Sequence, residues 1–121
     1  IVDLPSMSTL QKHYLTGVHG KLWLNRVNFL TTEEFINYKV EQGGVLIATF
    51  SFGELPMGLR LKLERKLREF KYIYFVYANN FDGVDNVLYF EKLAKKMSAQ
   101  FESVCHKDAH RRAWHMIFKM R

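Results

Sequence analysis

A chain of 121 residues with 48% hydrophobic and 25% charged content matches one soluble α/β domain, or part of a larger one, and contains no disorder-like stretch. It has no run of about 18 apolar residues that would span a membrane, and no basic start, apolar core and small-residue cleavage site that would mark a secretory signal. A formal charge of +6 and a lone Cys105, without Cys/His spacing for zinc, leave no internal disulfide and fit a reducing, cytoplasmic compartment.

Ile1-Val2-Asp3-Leu4-Pro5 reads as the last residues of a buried strand ending in a carboxylate. A strand ending in Asp before a helix is the second half of a nucleotide-cofactor motif, so the glycine-rich phosphate-binding half is expected just upstream. From Ser6 to Thr16, Met7, Leu10 and Tyr14 share one helical face, with Ser6 as the expected cap and Gly17 and Gly20 as the end. Lys21 to Leu30 mixes aromatic and β-branched residues in a short span and is expected to form a strand closing near Val27 or Asn28. Thr31 and Glu34 stand at capping-box spacing and open a short helix, which Gly43-Gly44 interrupts.

Val45 to Phe50 is a continuous apolar run and the expected central strand, buried on both faces. Pro56 starts a helix whose stripe is Leu59, Leu63, Leu67 and Phe70. Lys71 to Tyr77 is a further buried strand, Ala78 to Gly83 a polar loop at its carboxyl end, and Phe90, Leu93, Ala94 and Met97 mark the next helix. Phe101 to Cys105 and Ala113 to Met120 are strand-like runs joined by too few residues for a helical crossover, so they must pair antiparallel. Phe75, Tyr77, Trp114, Met116 and Phe118 fall on alternating strand faces and read as core.

The alternation of strands and helices predicts an α/β fold, with a mostly parallel sheet, helices on both faces and a terminal antiparallel hairpin. That order resembles the Rossmann-like S-adenosylmethionine-dependent methyltransferases. The segments IVDLPSMSTLQKHYL, GGVLIATFSFGELP and KYIYFVYANNFDGVDNVLYF resemble those of sugar O-methyltransferases. The resemblance implies that residues 1–121 are the C-terminal portion of a single methyltransferase domain that lacks its N-terminal Gly-rich motif. The absent first strand would lie between the strand ending at Asp3 and the one ending at Phe50, and the fragment would be inactive alone.

A carboxylate at a strand end accepts hydrogen bonds from both hydroxyls of a ribose, which marks Asp3; the resemblance assigns it that role with S-adenosylmethionine and places Leu4 near the adenine. A cap for the following helix is its other reading. The resemblance puts an amide or acid and an aromatic at Asn28 and Phe29, against the adenine amino group and ring. Thr49 to Glu54 leaves the central strand where open α/β sheets bind ligands; Glu54 can serve as a base toward an acceptor hydroxyl or charge the next helix, while Ser51 can position. Asn79, Asn80, Asp82, Asp85 and Asn86 suit sugar hydroxyls and equally suit a turn. Of His106, His110 and His115, which lack metal-ligand spacing, His110 alone merits testing as a base.

Residues 1–50 balance four Lys/Arg with four Asp/Glu, whereas residues 51–121 carry fourteen against eight. Much of the excess falls on Arg60, Lys62, Arg65, Lys66 and Arg68 and on Lys92, Lys95 and Lys96, at positions expected to face outward from two helices. A noncatalytic Rossmann-like module binding a partner or nucleic acid through those helices is therefore the competing reading, beside another nucleotide-cofactor enzyme.

Overall fold

A computed structural model describes residues 1–41, 43–110 and 112–121, apart from the side chains of Trp23 and Leu24. The chain divides into two compact units, Ile1–Lys39 and Val40–Arg121. Among the described residues no helix is long and apolar enough to cross a membrane.

In the first unit, Pro5 at the first helical position starts α1 (Pro5–His19), because its fixed φ suits a helix and its missing N–H would have no partner there. Ser6 is not the cap: Leu4 holds that position and makes no side-chain capping bond. Gly20, at φ 75°, ends the helix, and its N–H donates to Thr16 O at 2.9 Å. The expected stripe of Met7, Leu10 and Tyr14 is exposed.

The strand expected after Gly20 is absent. Lys21–Arg26 winds as a 3-10 helix, and pairing is confined to a single parallel bridge, Val2 with Leu30. The Leu30 N–H donates to Ile1 O at 2.9 Å and the Asp3 N–H to Leu30 O at 3.1 Å. β-Propensity had no adjoining strand to act on, since a strand is stabilised by its cross-strand pairs. The capping box is present: α2 (Thr32–Asn37) begins where the Glu34 N–H donates to Thr31 Oγ1 at 3.2 Å and the Thr31 N–H to Glu34 Oε2 at 2.7 Å.

The second unit contains β1 (Val45–Thr49), α3 (Met57–Leu67), β2 (Tyr72–Ala78), a small hairpin of β3 (Asn80–Phe81) and β4 (Val84–Asp85), α4 (Asn86–Met97), β5 (Phe101–Asp108) and β6 (Ala113–Met120). Its four-stranded sheet has the order β1-β2-β6-β5. Ile47 lies opposite Tyr74 in a parallel pair, Tyr74 opposite Ile117 in an antiparallel one, and Ile117 opposite Val104 in another.

The sheet is thus mixed and mainly antiparallel in its pairings, which corrects the mostly parallel Rossmann-like sheet expected from the element order. The cause is the fate of the two expected N-terminal strands: they form only the Val2–Leu30 bridge and contribute nothing to this sheet, so the single parallel pair, β1 with β2, is outnumbered by the two antiparallel pairs that β6 makes. The expected hairpin of β5 and β6 is present.

Two further corrections concern burial. β1 is an edge strand, not the central one, and its Val45 and Ile47 are exposed. The helices α3 and α4 lie side by side, tied by Lys96 to Glu64 and by Arg68 to the Lys96 carbonyl, so they form one layer. They cover the face carrying Ile73, Phe75 and Tyr77, while Ile47, Val104 and Ile117 on the opposite face remain exposed. The core of this unit is aromatic. The Tyr77 and Phe90 rings stack at 3.9 Å, Phe75 lies 4.8 Å from Phe52 and 5.1 Å from Phe90, and Phe118 meets both Phe75 and Phe101 edge-on. Each such pair contributes about 0.5–1.5 kcal/mol beyond its buried area.

Candidate functional site

The first unit brings together residues far apart in sequence. Because Val2 pairs with Leu30, Asp3 comes beside the segment holding Asn28 and Phe29, and the Ile1 ammonium donates to Asn28 O at 2.8 Å. An open cavity of about 590 Å³ is lined by Lys12, Val27, Asn28, Phe29, Leu30 and Tyr38. The Lys12 ammonium stands 5.0 Å over the Phe29 ring, and Asn28 Nδ2 donates to the Tyr38 hydroxyl at 3.5 Å. Asp3 and Leu4 are both outside that lining, Leu4 being exposed at the helix start.

Asp3 is held but not saturated. Its Oδ1 accepts the Leu4 N–H at 2.8 Å and its Oδ2 accepts Gln11 Nε2 at 2.9 Å, so it does not cap α1 through the later amides of the first turn. An ionised carboxylate offers about four acceptor positions, which leaves about two for a diol. The Gln11 Oε1 beside it is buried and without a hydrogen-bond partner among the described residues, an acceptor that a hydroxyl would satisfy. Asp3 and Gln11 Oε1 thus form a small set of acceptors for hydroxyls, outside the lining of the cavity that holds Asn28 and Phe29.

In the second unit the polar groups gather at the carboxyl ends of β1 and β2. Phe50 leaves β1 at φ 64°, ψ −38°, a conformation that bulky residues rarely adopt, and its N–H donates to Val76 O. Ser51–Glu54 then forms a 3-10 turn with Ser51 and Glu54 exposed and Phe52 and Gly53 buried. Glu54 makes no capping bond to α3, whose cap position is Pro56.

What holds this turn is Arg60. It is fully buried, contrary to the outward position expected from its basic run. Its Nε donates to Leu55 O at 2.8 Å, one terminal nitrogen to Asn86 Oδ1 at 2.7 Å and the other to Gly53 O. The face of Tyr89 lies 5.1 Å from the guanidinium, and burial lowers the Arg60 pKa from its ordinary value. Asn86 in turn donates to Ala78 O at 3.1 Å, so one guanidinium ties the loop after β1 to the loop after β2. Gly53 lets the turn approach β2 closely, since a Cβ there would lie 3.2 Å from Tyr77 Cβ and Tyr77 would have to give by a few tenths of an ångström.

Beyond β2, an open cavity of about 600 Å³ is lined by Asn79, Asn80, Gly83, Asp85, Val87 and Trp114. The structure therefore brings together the three residues expected to bind substrate. Asp85 also caps α4, its Oδ1 accepting the Leu88 N–H at 2.9 Å. Trp114, expected in the core, is only half-buried and lines the cavity. Its outward tilt had no signature in the strand alternation; the adjacent polar loop was the only pointer. Asp82, at φ 47°, sits in the β3–β4 turn, and the Asn86 side chain is committed to Arg60 and Ala78.

His106 and His115 lie directly opposite each other in the β5–β6 pairing, and His110 lies apart from them in the turn. The His110 N–H donates to Asp108 Oδ1 in the β5–β6 turn, and His115 Nδ1 lies 2.7 Å from the Tyr74 hydroxyl on the open sheet face. Among the described residues, no group of three or more His, Cys, Asp or Glu side chains is placed to hold a metal ion. No family model, curated protein or solved structure matches the chain.

Proposed function

We propose that this chain belongs to an enzyme transferring a methyl group from S-adenosylmethionine to a sugar hydroxyl. The observation that carries the reading is the Val2–Leu30 bridge, which brings the Asp3 backbone to the segment of Asn28 and Phe29, while the Asp3 carboxylate, bound to the Leu4 N–H and to Gln11, keeps acceptor positions open. A diol-accepting carboxylate, an amide and an aromatic ring are the groups a nucleoside needs. When bound, the cofactor supplies an electrophilic methyl group.

The second unit offers what an acceptor requires. The Glu54 carboxylate is exposed and makes no hydrogen bond among the described residues, which leaves it able to take the hydroxyl proton; the exposed Ser51 positions the acceptor. Asn79, Asn80 and Asp85 provide donors and acceptors for the remaining hydroxyls. Two further observations weigh on the same side. The final strand, β6, runs antiparallel to both β2 and β5, whereas a dehydrogenase of the ordinary dinucleotide type would have it parallel. On the basic helices Arg60 is buried, Lys66 pairs with Glu69 at 2.8 Å, Lys96 pairs with Glu64 and Arg68 is bound to Gln100 at 3.1 Å, so a nucleic-acid reading would rest on the exposed Lys62, Arg65, Lys92 and Lys95.

The test is transfer of isotopically labelled methyl from S-adenosylmethionine to saccharide acceptors by the full-length protein. Label is expected in the saccharide, and Glu54→Gln is expected to slow transfer by about 100-fold or more, the range of a lost general base. Wild-type transfer by Glu54→Gln would remove the base role; labelled product in a protein or nucleic acid, with none in a saccharide, would remove the acceptor class.

A further inference from the structure

We propose that Trp114 is the stacking platform of the saccharide subsite, with the loop residues Asn79, Asn80 and Asp85 reading the hydroxyls around it. This rests on the sugar-acceptor reading above.

Three observations fix the indole before any ligand arrives. Its Nε1–H donates to Asn79 Oδ1 at 2.8 Å, which sets the ring's rotation. The Lys107 ammonium stands 5.3 Å over the ring and so occupies one of its two faces, which leaves the other for a ligand. In register, Trp114 lies between Tyr77 on β2 and Lys107 on β5, so the ring projects from the middle of the sheet and not from a free loop. A ring held in this way loses little rotamer entropy on binding.

The chemistry around the ring suits a pyranose. One face of such a sugar is a sheet of C–H groups, which packs on an aromatic face, while its rim of hydroxyls needs both donors and acceptors. Asn79 retains its amide N–H groups, since the indole occupies only its oxygen; Asn80 is exposed; and Asp85, which caps α4 through Oδ1, still offers Oδ2. The cavity of about 600 Å³ accommodates one or two sugar rings. A β-strand residue that were merely core would be covered, as Met116 and Phe118 on the same strand are; Trp114 is the one of the three left half-exposed beside polar groups.

The experiment is saturation-transfer NMR and titration of the full-length protein with methyl glucoside, galactoside, mannoside and rhamnoside, with adenosine as a control. At least one glycoside is expected to bind, with strongest transfer to the C–H groups of one ring face. Trp114→Ala is expected to weaken it at least about fivefold and Trp114→Phe by less, because Phe keeps a face but loses the bond to Asn79. Circular dichroism of each variant verifies that the fold is retained. Equal glycoside binding by wild type, Trp114→Ala and Trp114→Phe would overturn the platform while leaving the sugar reading in place. Binding of no glycoside by wild type would overturn both, as would adenosine binding that alone depends on Trp114.

Discussion

Residues 1–39 and 40–121 are organised on opposite principles. Every buried apolar side chain among the described residues lies in the second unit, whereas the first buries only Ser8 and exposes Leu4, Leu10, Tyr14 and Val18. The first unit is held by local devices: a proline start, a glycine stop, a capping box and one bridge. The second is held by an aromatic core and a buried arginine. The unit carrying the proposed cofactor residues therefore rests on hydrogen bonds of modest individual worth, about 0.5–1.5 kcal/mol each, and opens more readily than the unit carrying the proposed acceptor residues. Hydrogen exchange should show amides of α1 and α2 exchanging well before those of β2 and β6.

The largest expected effect is in the aromatic core. Phe75→Ala should destabilise the second unit by about 3–5 kcal/mol in urea unfolding, because Phe52, Phe90 and Phe118 all lose a ring contact. Arg60→Met comes next, at about 3 kcal/mol, since it leaves the Leu55 and Gly53 carbonyls and Asn86 Oδ1 without their donor. A loss under about 1 kcal/mol would show that water replaces the guanidinium and that it does not hold the two loops together.

The units should also differ in their response to pH. Burial pushes the Tyr77 and Tyr89 phenols above their ordinary value of 10, with the Cys105 thiol contributing at Tyr77 and the Glu64 charge at Tyr89. Groups whose folded pKa is raised stabilise fully below the unfolded value and lose that contribution as pH rises, so the second unit should weaken above about pH 10. In the first unit the Thr31 backbone N–H, with its hydroxyl, lowers the Glu34 pKa from 4.5. That contribution is present above the ordinary carboxylate range and is lost as pH falls through the depressed value, so acid should fray α2 first. Thr31→Ala should cost about 1 kcal/mol of local stability and reduce the acid response of α2 without abolishing it, because the Thr31 backbone N–H that chiefly holds the Glu34 carboxylate remains; NMR of the α2 amides would report both. The smallest effect expected is at Phe50→Gly, where relief of the positive φ is worth about 1 kcal/mol and is partly offset by lost side-chain contact.

Sequence reasoning succeeded where local chemistry decides and failed where a neighbour does. Thr31 with Glu34, the stripe of α4 and the β5–β6 hairpin are each specified by residues close in the chain. Lys21–Arg26 has strand-forming residues but no strand to join, and Val45–Thr49 has a buried strand's composition at a sheet edge. Sheet order is a property of all the strands together, and the loss of the two strands expected in residues 1–30 changed the predominant pairing from parallel to antiparallel. Of the candidate residues, Asp3, Asn79, Asn80 and Asp85 stood out by residue type and position at expected element ends, whereas Asn28 and Phe29 came from the resemblance and follow a strand that is absent. Arg60 was hidden because a buried arginine in a run of surface cations has the same local pattern as its neighbours, and Trp114 because alternation gives a face but not how completely that face is covered.

The central claim is that Asp3, whose backbone meets the segment of Asn28 and Phe29, holds a nucleoside cofactor. Titration calorimetry of the full-length protein with S-adenosylmethionine measures this directly. Binding is expected, and Asp3→Asn should weaken it by about ten- to a hundredfold through loss of charge-assisted bonds to the ribose hydroxyls. No binding by the wild type, or equal affinity in the Asp3→Asn variant, would contradict the account.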